Sequence, residues 1–374
     1  EKSQLDNGLE IIAEVDPADA SMAGGFFVRT GSRDETPKIS GVSHFLEHMV
    51  FKGTKRRSAM DVNLEYDRMG AQYNAFTSEE NTVYYASVLP EFQDDCLDLL
   101  CDILRPALRS EDFDVEKGVI QEEIAMYEDR PQFRLYDKLM GRHFAGHPLG
   151  KAILGTSQSI QAMKRDDMQG YFDKRYSPAN VVLVAVGNVD FDALLRKASQ
   201  MCSGWVAFET DRDDRFCNGA RTQKVIVDSK LSRQNIGLMS PAPSCQDDLR
   251  FAAQLLGAVL GDATGSRLYY ALIETGIADE AHVTYNPMDG AGTMLTYVST
   301  DPDSAVKALR IVLDEFEKFL DKGPTDAELQ AAKNKIASGA TIKGELPMGR
   351  LTSVAFNWVY RKEYQPLSEQ IERL

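Results

Sequence analysis

Beyond residue 219 the chain begins to repeat the order of its first half, and this recurrence limits the folds open to it. A strand-like apolar stretch, 82–89 (TVYYASVL), is followed by helical patterns over 90–104 and 111–128. Further along, 293–298 (TMLTYV) is followed by helical patterns over 303–319 and 325–338. Short runs rich in β-branched and aromatic residues mark strands, and apolar spacings of three and four mark amphipathic helices. The simplest account is an α+β chain of two homologous domains, each an α/β sandwich with a mostly antiparallel sheet covered by helices. At 374 residues the chain is also too long for one core, given about 150 residues per domain.

The first domain is expected over 1–208. It contains strands at 9–14 and 25–30, helices at 42–51 and 59–69, and a ribbon pairing 71–76 with 82–89. An apolar strand at 181–186 and a helix at 191–202 close it, while Pro131 stops the long helix before it. The polar, aperiodic segment 209–221 reads as a linker. The second domain, 222–374, is expected to hold a strand at 224–227 and a helix at 248–260. It ends before equivalents of the 181–186 strand and 191–202 helix, and so reads as lacking roughly forty residues. The chain opens on Glu1 and not on Met, which fits a processed or trimmed form.

Charge narrows the function classes. The net charge of −15, from 42 basic and 57 acidic side chains, argues against nucleic acid as the partner and fits either a solvated acidic surface or basic partners and substrates. No apolar run approaches the ~20 residues of a membrane span. The five cysteines are scattered without a CxxC pair, so a thiolate zinc site is not expected. Cys96 and Cys101 sit in an apolar helical pattern as buried free thiols, which fits a reducing compartment.

The strongest chemical signal is His44-Phe45-Leu46-Glu47-His48. Positions i and i+4 of a helix lie one turn apart on one face, so both imidazoles can reach one ion. Glu47, three residues beyond His44, projects from the same side and can take a proton from water without being a ligand. Phe45 and Leu46 point elsewhere and can anchor the helix. A catalytic zinc needs a third protein ligand and an open position. His143 and His147 flank a glycine-containing turn and His282 lies in the half without the motif, so an acidic helix is the better source. In EDFDVEKGVIQEEIAMYED, Glu116 and Glu123 share one edge of the apolar stripe formed by Phe113, Ile120, Ile124 and Tyr127. Glu123 could ligate, and Glu116 could orient a histidine or the metal.

At this point the chain resembles the pitrilysin or insulysin family of metallopeptidases, in its shorter, mitochondrial-processing-peptidase-like branch. The resemblance rests on the inverted zinc motif and on longer blocks: TGSRDE (30–35), GVSHFLEHMVFKGT (41–54), NAFTSEENTVYY (74–85), HPLGKAILGT (147–156) and RYSPANVVLVAVGNVD (175–190). It implies one zinc ion per chain held by His44, His48 and Glu123, with Glu47 as general base and Glu116 in support. It further implies that Asn74, Ala75 and Phe76 form an edge strand on which an extended peptide docks, which agrees with strand addition as a sequence-tolerant mode of recognition. Arg350, in GELPMGRL, fits a substrate-side arginine of the second domain, whereas Phe356, Asn357 and Trp358 stand where a tyrosine is expected.

The function expected is therefore metal-assisted hydrolysis of peptides or unfolded segments inside a chamber. Four such domains enclose the chamber in the family, so a homodimer, or a heterodimer with a related subunit, is expected. The compartment expected is the bacterial cytoplasm, with the mitochondrial matrix as the alternative. A catalytically silent, substrate-presenting subunit is the rival reading, and the intact His44, Glu47, His48 and Glu123 argue against it. A zinc-stabilised binding module would need a fourth ligand that the sequence does not offer.

Overall fold

A computed structural model describes residues 1–374. The chain opens with strands β1 (Lys2–Gln4), β2 (Glu10–Val15) and β3 (Met22–Val28). Helices α1 (Val42–Val50) and α2 (Ala59–Met69) lead to the hairpin of β4 (Gln72–Thr77) and β5 (Thr82–Val88). Five helices follow: α3 (Gln93–Ile103), α4 (Ser110–Glu128), α5 (Pro131–His143), α6 (Ser157–Ala162) and α7 (Arg165–Arg175). Strand β6 (Val181–Gly187) and helix α8 (Phe191–Cys202) complete this stretch. Next come β7 (Gln234–Pro241), α9 (Arg250–Gly261), β8 (Ala278–Met288) and β9 (Ala291–Thr300). The chain ends in helices α10 (Ala305–Lys322), α11 (Asp326–Gly344), α12 (Pro347–Arg361) and α13 (Leu367–Glu372). None of these helices is long and apolar enough to cross a membrane.

Two compact units result, and each is discontinuous in sequence. The first joins Glu1–Met126, Lys151–Asp213 and Ile342–Gln365; the second joins Tyr127–Gly150, Asp214–Thr341 and Pro366–Leu374. This differs from the sequential division at 208 and 222. The physical reason lies in the sheets, each of which needs cover on both faces.

In the first unit the sheet runs β1-β2-β6-β3-β5-β4, antiparallel throughout except for the parallel β2–β6 pair. One face, with Phe26, Val28, Tyr84 and Leu183, packs on α1, α3 and α4. The opposite face, with Ile12, Phe27, Val83, Val182 and Val184, packs on Leu351, Val354, Ala355 and Val359 of α12. Strands buried on both faces explain why 181–187 reads as one unbroken apolar run.

The second unit repeats part of this plan. Its sheet runs β7-β9-β8, the order and antiparallel sense of β3-β5-β4. Here α5 covers the sheet. Gly237 of β7 admits it, since a Cβ at that position would come within 2.5 Å of Leu139. Pro131 thus ends one helix and opens another, with its fixed φ suiting the first turn of α5.

The strand expected at 224–227 does not form. Those residues belong to no ladder, and Val225 and Val227 are 73% and 89% exposed. In the first unit the equivalent strand, β2, pairs with β6, which arrives after the long helices. The second unit holds no such strand, so this short β-branched segment finds no partner for its backbone groups. The segment expected as a linker is also less free than its composition implies. Arg212 bonds Asp34 at 2.8 Å, and Arg33 bonds the Asp213 carbonyl at 2.6 Å. All five cysteines are free thiols, with Cys96 and Cys101 buried as expected.

Candidate metal centre

Helix α1 carries the histidines, and its start is fixed before any ligand is considered. Gly41 takes a left-handed φ of 91°, and a Cβ there would come within 2.5 Å of the Leu154 carbonyl. The Glu35 carboxylate then accepts from the backbone N–H groups of Gly41 (2.7 Å) and Ser43 (2.8 Å), two donors that a helix start leaves without partners. Phe45 and Leu46 are wholly buried, and Phe45 stacks on Phe113 of α4 with ring centroids 4.6 Å apart. That stack ties α1 to the helix carrying Glu116 and Glu123.

The three expected ligands converge. One donor atom from each of His44, His48 and Glu123 lies within 4.8 Å of the others. Glu123 Oε2 is 3.6 Å from His44 Nε2 and 3.5 Å from His48 Nε2. On its other side His48 meets Glu116, Nδ1 to Oε1 at 2.8 Å, and Lys52 Nζ holds the second Glu116 oxygen at 2.6 Å. Burial works to raise the Glu116 pKa, but His48 and Lys52 outweigh it and the pKa is lowered. An ionised Glu116 can only accept, so His48 donates from Nδ1 and its Nε2 is the nitrogen turned towards Glu123.

His44 is pushed down to about 3 by burial and by the neighbouring His48, so its imidazole is neutral. Burial opposes the charged form of His48, yet the bond to Glu116 and the charges of Glu123 and Glu47 raise its pKa. Glu123 is raised by burial, against the pull of His48. Two imidazoles thus stand among three carboxylates. This donor set suits a divalent cation of borderline softness, and three protein ligands leave a coordination position open.

Glu47 lies beside the cluster without joining it. Thr77 at the end of β4 donates to Glu47 Oε2 at 2.6 Å. Burial raises the Glu47 pKa, opposed by that hydrogen bond. No separate motif singles out Thr77 or Lys52. The period-two alternation of β4 was the available signal, since it puts Thr77 on the face of Tyr73 and Ala75, which pack on the α1 side of the sheet.

Asn74, Ala75 and Phe76 lie on β4, which ends the sheet: β5 pairs with one edge, and the other has no strand. The Asn74 side chain accepts from the Ala75 N–H at 2.8 Å. Phe76 faces away from α1, its ring 6.4 Å from that of Phe356. Arg350 is not brought to the cluster. It is 3% exposed, forms a forked ion pair with Glu14 (2.7 Å to each oxygen), and bonds the Gln365 carbonyl at 2.5 Å. Helix α12 covers the sheet face opposite α1. Glu14 is on β2, four strand spacings or roughly 19 Å from β4. Arg350 is thus an internal fastener of the first unit, a correction to its expected substrate-side place. His143 is buried beside Gly219, His147 meets the Arg215 carbonyl at 2.8 Å, and His282 is on β8.

Comparison with known proteins adds lineage to this geometry. Residues 10–157 match the model of insulinase (peptidase family M16), and residues 162–336 match that of the peptidase M16 inactive domain. An uncharacterized zinc protease of Mycobacterium bovis is 32% identical over all of this chain and 87% of its own length. The uncharacterized zinc protease YmxG of Bacillus subtilis is 30% identical over 98% of this chain and 90% of its own. Among solved structures, a protease from Helicobacter pylori superposes with a TM-score of 0.92 at 20% identity, over 100% of this chain and 92% of that one. A peptidase M16 inactive domain from Pseudomonas fluorescens gives 0.89 at 18% identity, over 100% and 90%. The fold is that of the two-domain M16 peptidases, and the chain belongs to the M16, or insulinase, peptidase family.

Proposed function

We propose that this chain is a zinc-dependent endopeptidase acting on peptides or unfolded segments. The observation that carries the reading is the convergence of His44, His48 and Glu123 with the non-ligating Glu47 carboxylate alongside. His44 Nε2, His48 Nε2 and a Glu123 oxygen would hold the ion. When bound, zinc supplies a Lewis acid for the scissile carbonyl and lowers the pKa of water. Glu116 keeps the His48 ring in the tautomer and orientation that ligation requires. Glu47 takes the proton of the attacking water and passes it to the leaving amine, with no covalent intermediate. The free edge of β4 offers backbone groups to an extended peptide whatever its sequence, and the acidic balance favours basic ones.

A catalytically silent, substrate-presenting role is the other reading, and the retention of both histidines and both glutamates of the site speaks against it. The active species is a dimer, with this chain or a related one as the second subunit. A partner would exclude water from a cluster in which His48 and Glu123 keep 26% and 22% of their side-chain surface exposed. Free thiols and bacterial relatives favour the bacterial cytoplasm.

The test is metal analysis of the purified protein, joined to hydrolysis of an unstructured basic peptide. One zinc per chain and hydrolysis that a chelator stops and added zinc restores are expected. Cleavage that survives removal of the metal would sink the reading. Sedimentation of the active fraction reads out the dimer, and full activity in a monomer removes that part of the proposal.

A further inference from the structure

We propose that Thr77 is a positioning residue, whose hydroxyl fixes the Glu47 carboxylate for its work as a base; the inference rests on the peptidase reading above. Thr77 Oγ1 donates to Glu47 Oε2 at 2.6 Å and is the only hydrogen-bond partner of that carboxylate. A hydroxyl has a single proton to give. Its donation occupies one oxygen, sets the plane of the group, and leaves Oε1 free for water.

The two ends of this bond sit on supports that do not yield easily. Glu47 belongs to α1, which is fastened by Glu35 at its start and by the Phe45–Phe113 stack. Thr77 is the last residue of β4 and enters the turn 78–81, which other parts of the first unit grip. Ser78 N–H bonds the Asn81 carbonyl at 2.8 Å, closing the turn. The Arg33 N–H reaches the Glu79 carbonyl at 2.7 Å, and its guanidinium reaches Glu80 Oε1 at 2.6 Å, with both side chains 2% exposed. Tyr360 of α12 donates to Glu80 Oε2 at 2.9 Å and accepts from the Asn81 amide at 2.6 Å. Gly31 lets the turn approach, since a Cβ there would lie 2.3 Å from the Ser78 carbonyl.

A buried ion pair is a poor source of net stability compared with apolar packing of the same volume. What Arg33 and Glu80 do supply is a fixed location for the turn, and through it for the Thr77 hydroxyl. Catalytic groups misplaced by about an ångström lose roughly a hundredfold in rate, so such a support has a purpose beside a general base.

The experiment compares wild type, Thr77→Val and Thr77→Ser by steady-state peptide hydrolysis, zinc content and melting temperature. Valine keeps the shape and removes the hydroxyl; serine keeps the hydroxyl. For Thr77→Val, kcat is expected to fall roughly ten- to a hundredfold, with KM, zinc content and melting temperature near wild type. Thr77→Ser should recover most of that loss. A valine variant with wild-type kcat overturns the inference, as does a loss that serine fails to recover or that follows loss of zinc. A wild-type protein without chelator-sensitive hydrolysis overturns the peptidase reading itself, and the positioning role with it.

Discussion

His48 reaches Glu116 at 2.8 Å with its Nδ1 while its Nε2 faces Glu123 at 3.5 Å, so one ring is held from behind and presented forwards. Glu116 is in turn held by Lys52 at 2.6 Å. Replacing Glu116 by Gln keeps the shape and removes the charge that favours the Nδ1–H tautomer. Zinc affinity, measured by competition with a chelator, is expected to weaken roughly ten- to a hundredfold without being lost. An unchanged affinity would reduce Glu116 to an ion-pair partner of Lys52.

The division of labour at the centre gives a second expectation. Glu47→Gln should abolish hydrolysis and retain zinc, because Glu47 stands beside the cluster and bonds only Thr77. His48→Ala and Glu123→Gln should lose both, since each removes one of three donors. Zinc content and turnover measured on the same folded samples decide it. A Glu47 variant that folds but binds no zinc contradicts the assignment.

Arg350 calls for a stability test. Its guanidinium is committed to Glu14 and to the Gln365 carbonyl, so Arg350→Ala leaves a partly buried carboxylate and a carbonyl without their donor. A loss of about 2–4 kcal/mol in unfolding free energy is expected. Removing Glu14 as well should recover part of that loss, because the orphaned charge goes with it. KM for peptides should stay within about twofold of wild type. A raised KM at unchanged stability would return Arg350 to the substrate.

The site was legible in the sequence where its geometry is local. His44, Glu47 and His48 share a helix face by spacing alone, and the edge shared by Glu116 and Glu123 follows from the stripe of α4. Locality fails for Arg350, since nothing in GELPMGRL tells which sheet face α12 will cover or that Glu14, on β2, waits there. It fails again at 224–227, where the β-branched run Val225-Ile226-Val227 marks a capable strand but a ladder also needs a neighbour, and the residues sit exposed without one. Thr77 lies between these cases. Its face could be read from β4, but its partner on α1 comes only from the packing of that helix on the sheet.

The last expectation concerns the second unit and its behaviour in acid. Glu328 sits in the first turn of α11, accepts from the Thr325 N–H at 2.7 Å, and takes a forked pair of bonds from Arg267 at 2.7 and 2.9 Å. The Glu328 N–H in turn donates to Thr325 Oγ1, so the pair forms a capping box. The Arg267 bonds hold the Glu328 carboxyl at about 2, below its ordinary 4.5. The folded state therefore binds fewer protons than the unfolded state between those two values. Stability from this group is complete above about 4.5 and drains away as pH falls through about 2. Glu328→Gln should melt below wild type near neutral pH, and the gap should narrow steadily as the solution is acidified through that window. Arg267→Lys should show part of the neutral-pH loss, because lysine keeps the charge without the planar fork. Thermal melts of the three proteins across that range provide the measurement. A gap that stays constant with pH would mean that the Glu328 carboxylate contributes by packing and capping alone, and that its pairing with Arg267 adds nothing to the fold.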